Sequence, residues 1–200
     1  LDELVALKTY LHERDQVGED DAVDRWIRMA ATNRLTGHSP GFFSVYSMPP
    51  NQAVSQSSQI RINEKRQQVP SYRDTHALIL KKSRQLQKGA SAREIENLRA
   101  AAKEALFLCE DASATPSIMD SSVQLTVTSP PFLDVVQYSN DNWLRGWFNT
   151  IDMEEVAKKI TMAKTLEAWN EKMSAVFDEL FRVTKPNGYV AFEVGEVRNG

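Results

Sequence analysis

A single cysteine in 200 residues, Cys109, has no partner for an internal disulfide and none at metal-ligand spacing. No covalent staple and no metal site is therefore expected, and the core must rest on burial. No apolar run approaches the ~18 residues that a bilayer-spanning helix needs, and no basic-then-apolar leader opens the chain. The chain accordingly reads as cytosolic, without a membrane partner. Internal repeats and low-complexity tracts are also lacking. What is present is 42% hydrophobic, enough for one core or a core with a smaller lobe. Leu1 in place of methionine, and Gly200 directly after an expected strand, suggest a piece of a longer protein.

The formal net charge of -3 is small, but its distribution is uneven. Acidic residues outnumber basic ones from Leu1 to Ala30. Arg61, Lys65, Arg66, Arg73, Lys81, Lys82, Arg84 and Lys88 then crowd a stretch opposed only by Glu64 and Asp74. A nucleic-acid partner needs a local basic face and not a basic average, so these residues are candidates for phosphate contact. A solvated helix face explains the same run equally well.

Helical spacing and punctuation organise the rest. Asp20 or Asp21 can cap a helix carrying Val23, Trp26, Ile27 and Ala30 on one side, with Gly37 as a stop. Residues 36–54 mix turn formers with aromatics and suggest an ordered loop. Helices are expected from about Ser55 to Gln68, ended by Pro70, and from near Arg73 to before Gly89. Ser91 and Glu94 have capping-box spacing ahead of an apolar stripe of Ile95, Leu98, Ala102 and Leu106. The period then changes. Ala105 to Cys109 and Val123 to Thr128 are short apolar or β-branched runs that read as buried parallel strands. Leu166, Trp169, Met173, Val176, Phe177, Leu180 and Phe181 share one helical face, followed by a break at Lys185-Pro-Asn-Gly188 and a strand from Tyr189 to Val194. This order predicts an α/β sheet in the C-terminal half.

Ligands of open α/β sheets gather beyond the carboxyl ends of the strands. At one such end stands Thr128-Ser129-Pro130-Pro131-Phe132. Two prolines withhold their N–H donors and leave carbonyl acceptors that no local donor occupies. A hydroxyl and a carbonyl acceptor suit an amine nucleophile, and Phe132 offers a flat face for stacking an extruded base.

That run, placed after a β-branched strand, resembles the catalytic motif of S-adenosylmethionine-dependent amino DNA methyltransferases, Asp/Asn/Ser-Pro-Pro-Tyr/Phe/Trp. Serine in first place resembles the N4-cytosine subgroup; aspartate or asparagine is more usual for N6-adenine enzymes and for protein-glutamine methyltransferases. Leu106 to Asp111 resembles the family strand whose terminal acid lies near the cofactor's adenine, and Phe181 to Gly188 resembles the approach to a following strand. The likeness covers roughly residues 104–200, with a looser match to a bacterial insert between Asp24 and Arg73. It implies Ser129, Pro130, Pro131 and Phe132 as catalytic residues, Thr128 and Asp111 near the cofactor, and double-stranded DNA as partner. Asp111 has a plainer role open to it, as a cap. Asp134, Tyr138, Asn140 and Trp143 follow the motif on a loop able to close over a base, although Trp143 and Trp147 suit a core equally. His38 and His76 read as structural.

The resemblance implies direct in-line attack by the amine on the sulfonium methyl, without a covalent enzyme intermediate. Cys109 agrees with this, having no proline beside it as a ring-carbon methylase would require. The family's Phe-x-Gly-x-Gly cofactor loop does not occur here, so it is expected in a segment upstream of Leu1. The resulting expectation is an incomplete Rossmann-like methyltransferase sheet with a mainly helical insert. Residues 1–19 would be a helix of the catalytic domain, 20–90 an insert that binds DNA through Arg61, Lys65, Arg66, Arg73, Lys81, Lys82 and Arg84, and 91–200 the catalytic part. N6-adenine methylation, or a DNA-binding fragment without activity, remains open as the alternative.

Overall fold

The computed structural model describes residues 1–37, 39–44, 54–69, 71–130, 138–160 and 163–194. The chain divides into two compact units, Leu1–Ala92 with Gln137–Ile160, and Arg93–Val136 with Thr161–Gly200.

The first unit is helical. It contains α1 (Asp2–Gln16), α2 (Ala22–Thr32), α3 (Gln56–Arg66) and α4 (Thr75–Gln87), and later in the chain α6 (Tyr138–Asp141), α7 (Trp143–Phe148) and α8 (Met153–Lys159). Its core is Leu4, Leu11, Ala30, Ala31, Leu35, Ile79 and Phe148, with Ile27, Phe43, Leu144 and Trp147 packed against it. Asp21 starts α2 by accepting hydrogen bonds from the N–H groups of Val23 and Asp24, while Asp24 answers from the third position; this reciprocal box satisfies donors that a helix start leaves open. Asp24 also accepts from Arg14 Nε at 2.7 Å, and Arg14 reaches the Glu19 carbonyl at 2.5 Å, so one guanidinium fixes the α1–α2 corner. Glu3 makes a second tie, accepting from the Tyr72 hydroxyl at 2.8 Å and from the Thr75 N–H at 2.9 Å where α4 begins. Helix α3 ends on Gln67 in the left-handed region, at φ 49°.

Two expectations are corrected here. Helix α2 stops at Thr32, five residues before Gly37. Gly37 serves close approach instead, because a Cβ there would lie 2.3 Å from the Phe42 ring. Val23, expected on the buried side of α2, is exposed, since the core takes the face of Ile27, Ala30 and Ala31.

The second unit holds α5 (Ala92–Glu104), β1 (Val123–Thr128), α9 (Leu166–Val183) and β2 (Thr184–Phe192). Strands β1 and β2 are parallel neighbours, so the described chain is mixed α/β with a two-stranded parallel sheet. Leu125 pairs with Tyr189 and Thr128 with Phe192, whereas Val123 pairs with Thr184, so β2 carries extra residues between the first two partners. Lys185-Pro-Asn-Gly188 forms that bulge. The expected break between helix and strand is thus taken into the strand itself, with Asn187 at φ 65° supplying the local reversal.

Burial in this unit is lower than its sequence pattern predicts. Ala105–Glu110 forms no ladder, and Phe107 is 98% exposed, which corrects the buried strand expected there; among the described residues no strand lies beside it to accept its N–H groups. The α5 stripe of Ile95 and Leu98 is likewise exposed. Met173, Val176 and Val183 of α9 are buried, but Leu166, Phe177 and Phe181 of the expected face are not. The two-residue strand period puts Leu125 and Val127 on one sheet face with Tyr189, and all three are exposed, so this face of β1 is left uncovered by the described residues.

Gly188 should tolerate no side chain. A Cβ there would lie 2.7 Å from Thr184 Cγ2, 2.9 Å from the Lys185 carbonyl oxygen and 3.1 Å from the Gln124 carbonyl oxygen, two of them backbone atoms that cannot swing aside. Gly188→Ala is expected to destabilise the β1–β2 pairing by about 1–3 kcal/mol, measurable as a lowered urea midpoint.

Candidate functional site

Because β1 and β2 run parallel, their carboxyl ends lie side by side. The pairing extends one step past the strands: the Glu193 N–H donates to the Thr128 carbonyl at 2.9 Å. This bond fixes Glu193 next to Ser129. Val127, Thr128 and Ser129 from one strand end and Ala191, Phe192 and Glu193 from the other line an open depression. Ser129 is exposed, and its hydroxyl has no hydrogen-bond partner among the described residues. Pro130 is half-buried beside it. Pro131, Phe132 and Asp134 lie outside the described residues, as does His38.

Of the expected site residues, Thr128 and Ser129 thus come together at a strand end. Sequence reasoning missed Phe192 and Glu193. The available signal was the Phe192-Glu193 pair closing the last strand, which becomes informative only once β2 is known to neighbour β1. Phe192 stacks obliquely on Phe177 of α9, with ring centroids 4.8 Å apart and planes at 43°, and so braces this end of the sheet.

Asp111 is engaged otherwise. Its carboxylate accepts from Lys172 Nζ of α9 at 2.8 and 2.7 Å, from the Ser113 N–H at 2.9 Å and from the Ser113 hydroxyl at 2.6 Å. The Lys172 ammonium, with Ser113 assisting, holds this carboxyl well below the usual carboxylate range. Asp111 therefore organises the turn through Ala114 and caps no helix, which corrects the capping role expected as its plainer alternative.

The same loop is clamped further along. Glu179 accepts from the Thr115 N–H at 2.7 Å and hydroxyl at 2.5 Å, and from Arg182 at 2.8 and 2.6 Å. Arg182 also donates to the carbonyls of Ile118 and Thr115, both at 3.0 Å, and pairs with Asp120. The N–H groups of Ser121 and Ser122 then donate to the Arg182 and Val183 carbonyls at 2.9 Å each. These bonds set the starting point of β1 against the end of α9, and hence the position of Ser129 six residues beyond that start.

The cationic residues belong to the first unit. Arg61, Lys65 and Arg66 lie on α3, Arg73 precedes α4, and Lys81, Lys82 and Arg84 lie on α4. On α4 the buried residues Thr75 and Ile79 mark the inner face, and helical spacing sends Lys81 and Arg84 to the opposite side, where both are exposed. None of the seven is in an ion pair among the described residues. Tyr138 and Asn140 form α6, while Trp143 and Trp147 of α7 are half-buried. His76 is exposed on α4.

Among the described residues no group of three His, Cys, Asp or Glu is placed to hold a metal, and no helix is long and apolar enough to cross a membrane. No family model, curated protein or solved structure matches this chain.

The clamp has a pH signature. Arg182, with Thr115, lowers the Glu179 carboxyl from 4.5 to about 2. A carboxyl that is more acidic in the folded state stabilises above its unfolded pKa, and that stability is lost as pH falls toward the folded value. Helix–loop packing in the second unit is therefore expected to weaken between pH 4.5 and about 2. Glu179→Gln should be less stable at pH 7 and should flatten this pH dependence, as read from denaturation midpoints across the range.

Proposed function

We propose that this chain carries the catalytic half of an S-adenosylmethionine-dependent DNA methyltransferase acting on an exocyclic base amine, the N4 of cytosine. The observation that carries this reading is the exposed Ser129, followed by Pro130, at the carboxyl end of a strand with a parallel neighbour alongside. That is where ligands of α/β sheets sit. We take the two strands as part of a Rossmann-like methyltransferase sheet.

In this mechanism the target cytosine leaves the duplex, at a cost of a few kcal/mol, and its amine is held by the Ser129 hydroxyl and the proline carbonyls. Phe132 stacks against the base. S-adenosylmethionine, with Thr128 among the residues that would hold it, would supply an electrophilic methyl group to the amine nitrogen as its carbon–sulfur bond breaks, the bonding pair leaving with sulfur, and the amine would then give up a proton. The Glu193 carboxylate, lining the same depression, is the acceptor we assign to that proton. Arg61, Lys65, Arg66, Arg73, Lys81, Lys82 and Arg84 hold DNA phosphates.

The test is single-turnover methylation by the full-length protein on duplexes with and without cytosine, read by nucleoside mass spectrometry. Methyl transfer to cytosine N4 supports the reading; transfer to adenine N6 would move it to the alternative base, and DNA binding without transfer would leave only a binding module. Ser129→Ala is expected to slow the methylation step by about 10²–10³-fold, the scale of one lost transition-state hydrogen bond, with DNA affinity little changed. Wild-type turnover in that variant would reduce the motif to a turn. Phe132→Ala should lose ~1–3 kcal/mol of base capture, less on a mismatched target that is already partly unstacked.

Phosphate binding releases counterions, so log affinity should fall linearly with log salt. Replacing Lys81, Lys82 and Arg84 together with glutamine should flatten that slope in a fluorescence-anisotropy titration. An unchanged slope assigns these side chains to solvent.

A further inference from the structure

The first unit holds a cavity of about 310 Å³, of whose lining the methyl-transfer reading uses only Arg73, as a phosphate contact. Phe43, Trp143 and Trp147 supply aromatic wall and Leu35 aliphatic wall, while Asn63 and Arg73 bring polar groups to it. Its volume is at the lower end of the ~300–1,000 Å³ typical of small-molecule sites, and largely apolar walls with a few placed polar groups are their usual construction.

Among the polar groups of the wall, Arg73 and Asn63 are held in place and offer donors, beside the hydroxyls of Ser44, Ser71 and Thr75 and the amide of Gln59. Tyr72 and Thr75, on either side of Arg73, both hydrogen-bond to Glu3, which pins the backbone that carries the guanidinium. Glu3 spends one oxygen on each, forms no ion pair with Arg73 and is not among the described residues of the wall. Arg73 has no ion-pair partner among the described residues, and no acidic side chain is among the described residues of the wall. Asn63 accepts from Gln59 Nε2 through its Oδ1 at 2.7 Å, which leaves its NH₂ as a donor. The indole of Trp143 is fixed by its Nε1–H donating to the Val54 carbonyl at 2.8 Å. The Lys8 ammonium lies 5.6 Å from the centre of the Trp147 ring.

From this arrangement we propose that the cavity is a binding site for a flat aromatic molecule bearing one anionic group, its ring against the indoles of Trp143 and Trp147 and its anion on Arg73. Aromatic faces favour a planar ring, and a guanidinium beside an amide donor, with no acidic side chain among the described residues of the wall, favours negative charge. A nucleoside monophosphate and an aromatic carboxylic acid share this chemistry. The site lies in a different unit from Ser129, and its test requires neither DNA nor methyl transfer, so it stands or falls separately.

The measurement is two-dimensional NMR of the indole N–H signals while the protein is titrated with adenosine 5′-monophosphate, and separately with indole-3-carboxylate. Trp26 and Trp169 line no part of the cavity and act as internal references. At least one of the two anions should shift the Trp143 and Trp147 signals saturably and leave Trp26 and Trp169 in place. The corresponding neutral molecule, adenosine or indole, should bind at least ten-fold more weakly. Arg73→Gln should weaken the anion by roughly ten-fold or more and the neutral molecule little, the range for a charge-assisted hydrogen bond. Arg73→Lys should recover part of the loss, and unmoved Trp26 signals in both variants would show that the unit is folded. Which anion binds identifies the source of the ligand. Failure of both to shift Trp143 and Trp147, or equal binding of anion and neutral counterpart, would overturn the proposal.

Discussion

Everything at the strand-end site depends on β1 and β2 being parallel. Two antiparallel strands can be joined by a two-residue turn, whereas parallel strands require the chain to return to its starting end before the second begins. Here the return path runs from Ser129 to Val183, and part of it, α6 to α8, is built into the first unit. It completes its course as α9, whose Met173, Val176 and Val183 are buried and whose Phe177 meets Phe192. The Glu193 N–H bond to Thr128 is the last rung of the ladder this path permits. An antiparallel pair would have put Glu193 at the far end of the sheet from Ser129.

Register comes from polar contacts as much as from apolar ones. Sheet faces this small specify alignment weakly, because a slip by two residues preserves which side chains face α9. The Glu179–Arg182 pair counters this by fixing the loop from Thr115 to Asp120 on α9, so that β1 begins at one point. The Lys172–Asp111 pair fixes the same loop earlier. Surface ion pairs taken singly contribute little. These pairs hold successive parts of one loop, from Asp111 to Asp120, on α9, and their effect is positional.

The positions of α2, α3 and α4 were legible because caps and periodicity are local, whereas α6 and α7 fall where a loop was expected. Asp21, Ser55 and Asp74 each cap the helix that follows them. The β-branched run of β1 and the long apolar face of α9 were legible for the same reason. Burial was not, because a periodic pattern shows which side of an element is apolar without showing whether anything covers it; Phe107, Leu125 and Phe181 are exposed although their patterns suit a core. The bulge at Lys185–Gly188 was misread as a break, since proline and glycine punctuate turns and strand irregularities alike. The strand-end site was half legible. Ser129 announced itself by its neighbours, but Glu193 becomes a neighbour only through a pairing across more than sixty residues. Trp143 was expected on a loop able to close over a base, with a core role open to it and to Trp147, and nothing in the sequence marks the two as one wall of a cavity.

The long return path also orders events in time. The caps of α2, α3 and α4 form with residues next to them in sequence, whereas Thr128 must wait for Phe192 before it has a partner. Contacts so far apart in sequence slow folding, since loop-closure entropy is lost before any pairing repays it. During synthesis at ~5–20 residues per second, β1 would remain without its neighbour for several seconds, presenting Leu125 and Val127 and both backbone edges to whatever strands are near. A chain arranged in this way is most open to mispairing while it is still being made, and the tight start that Arg182 imposes on β1 arrives only with the end of α9.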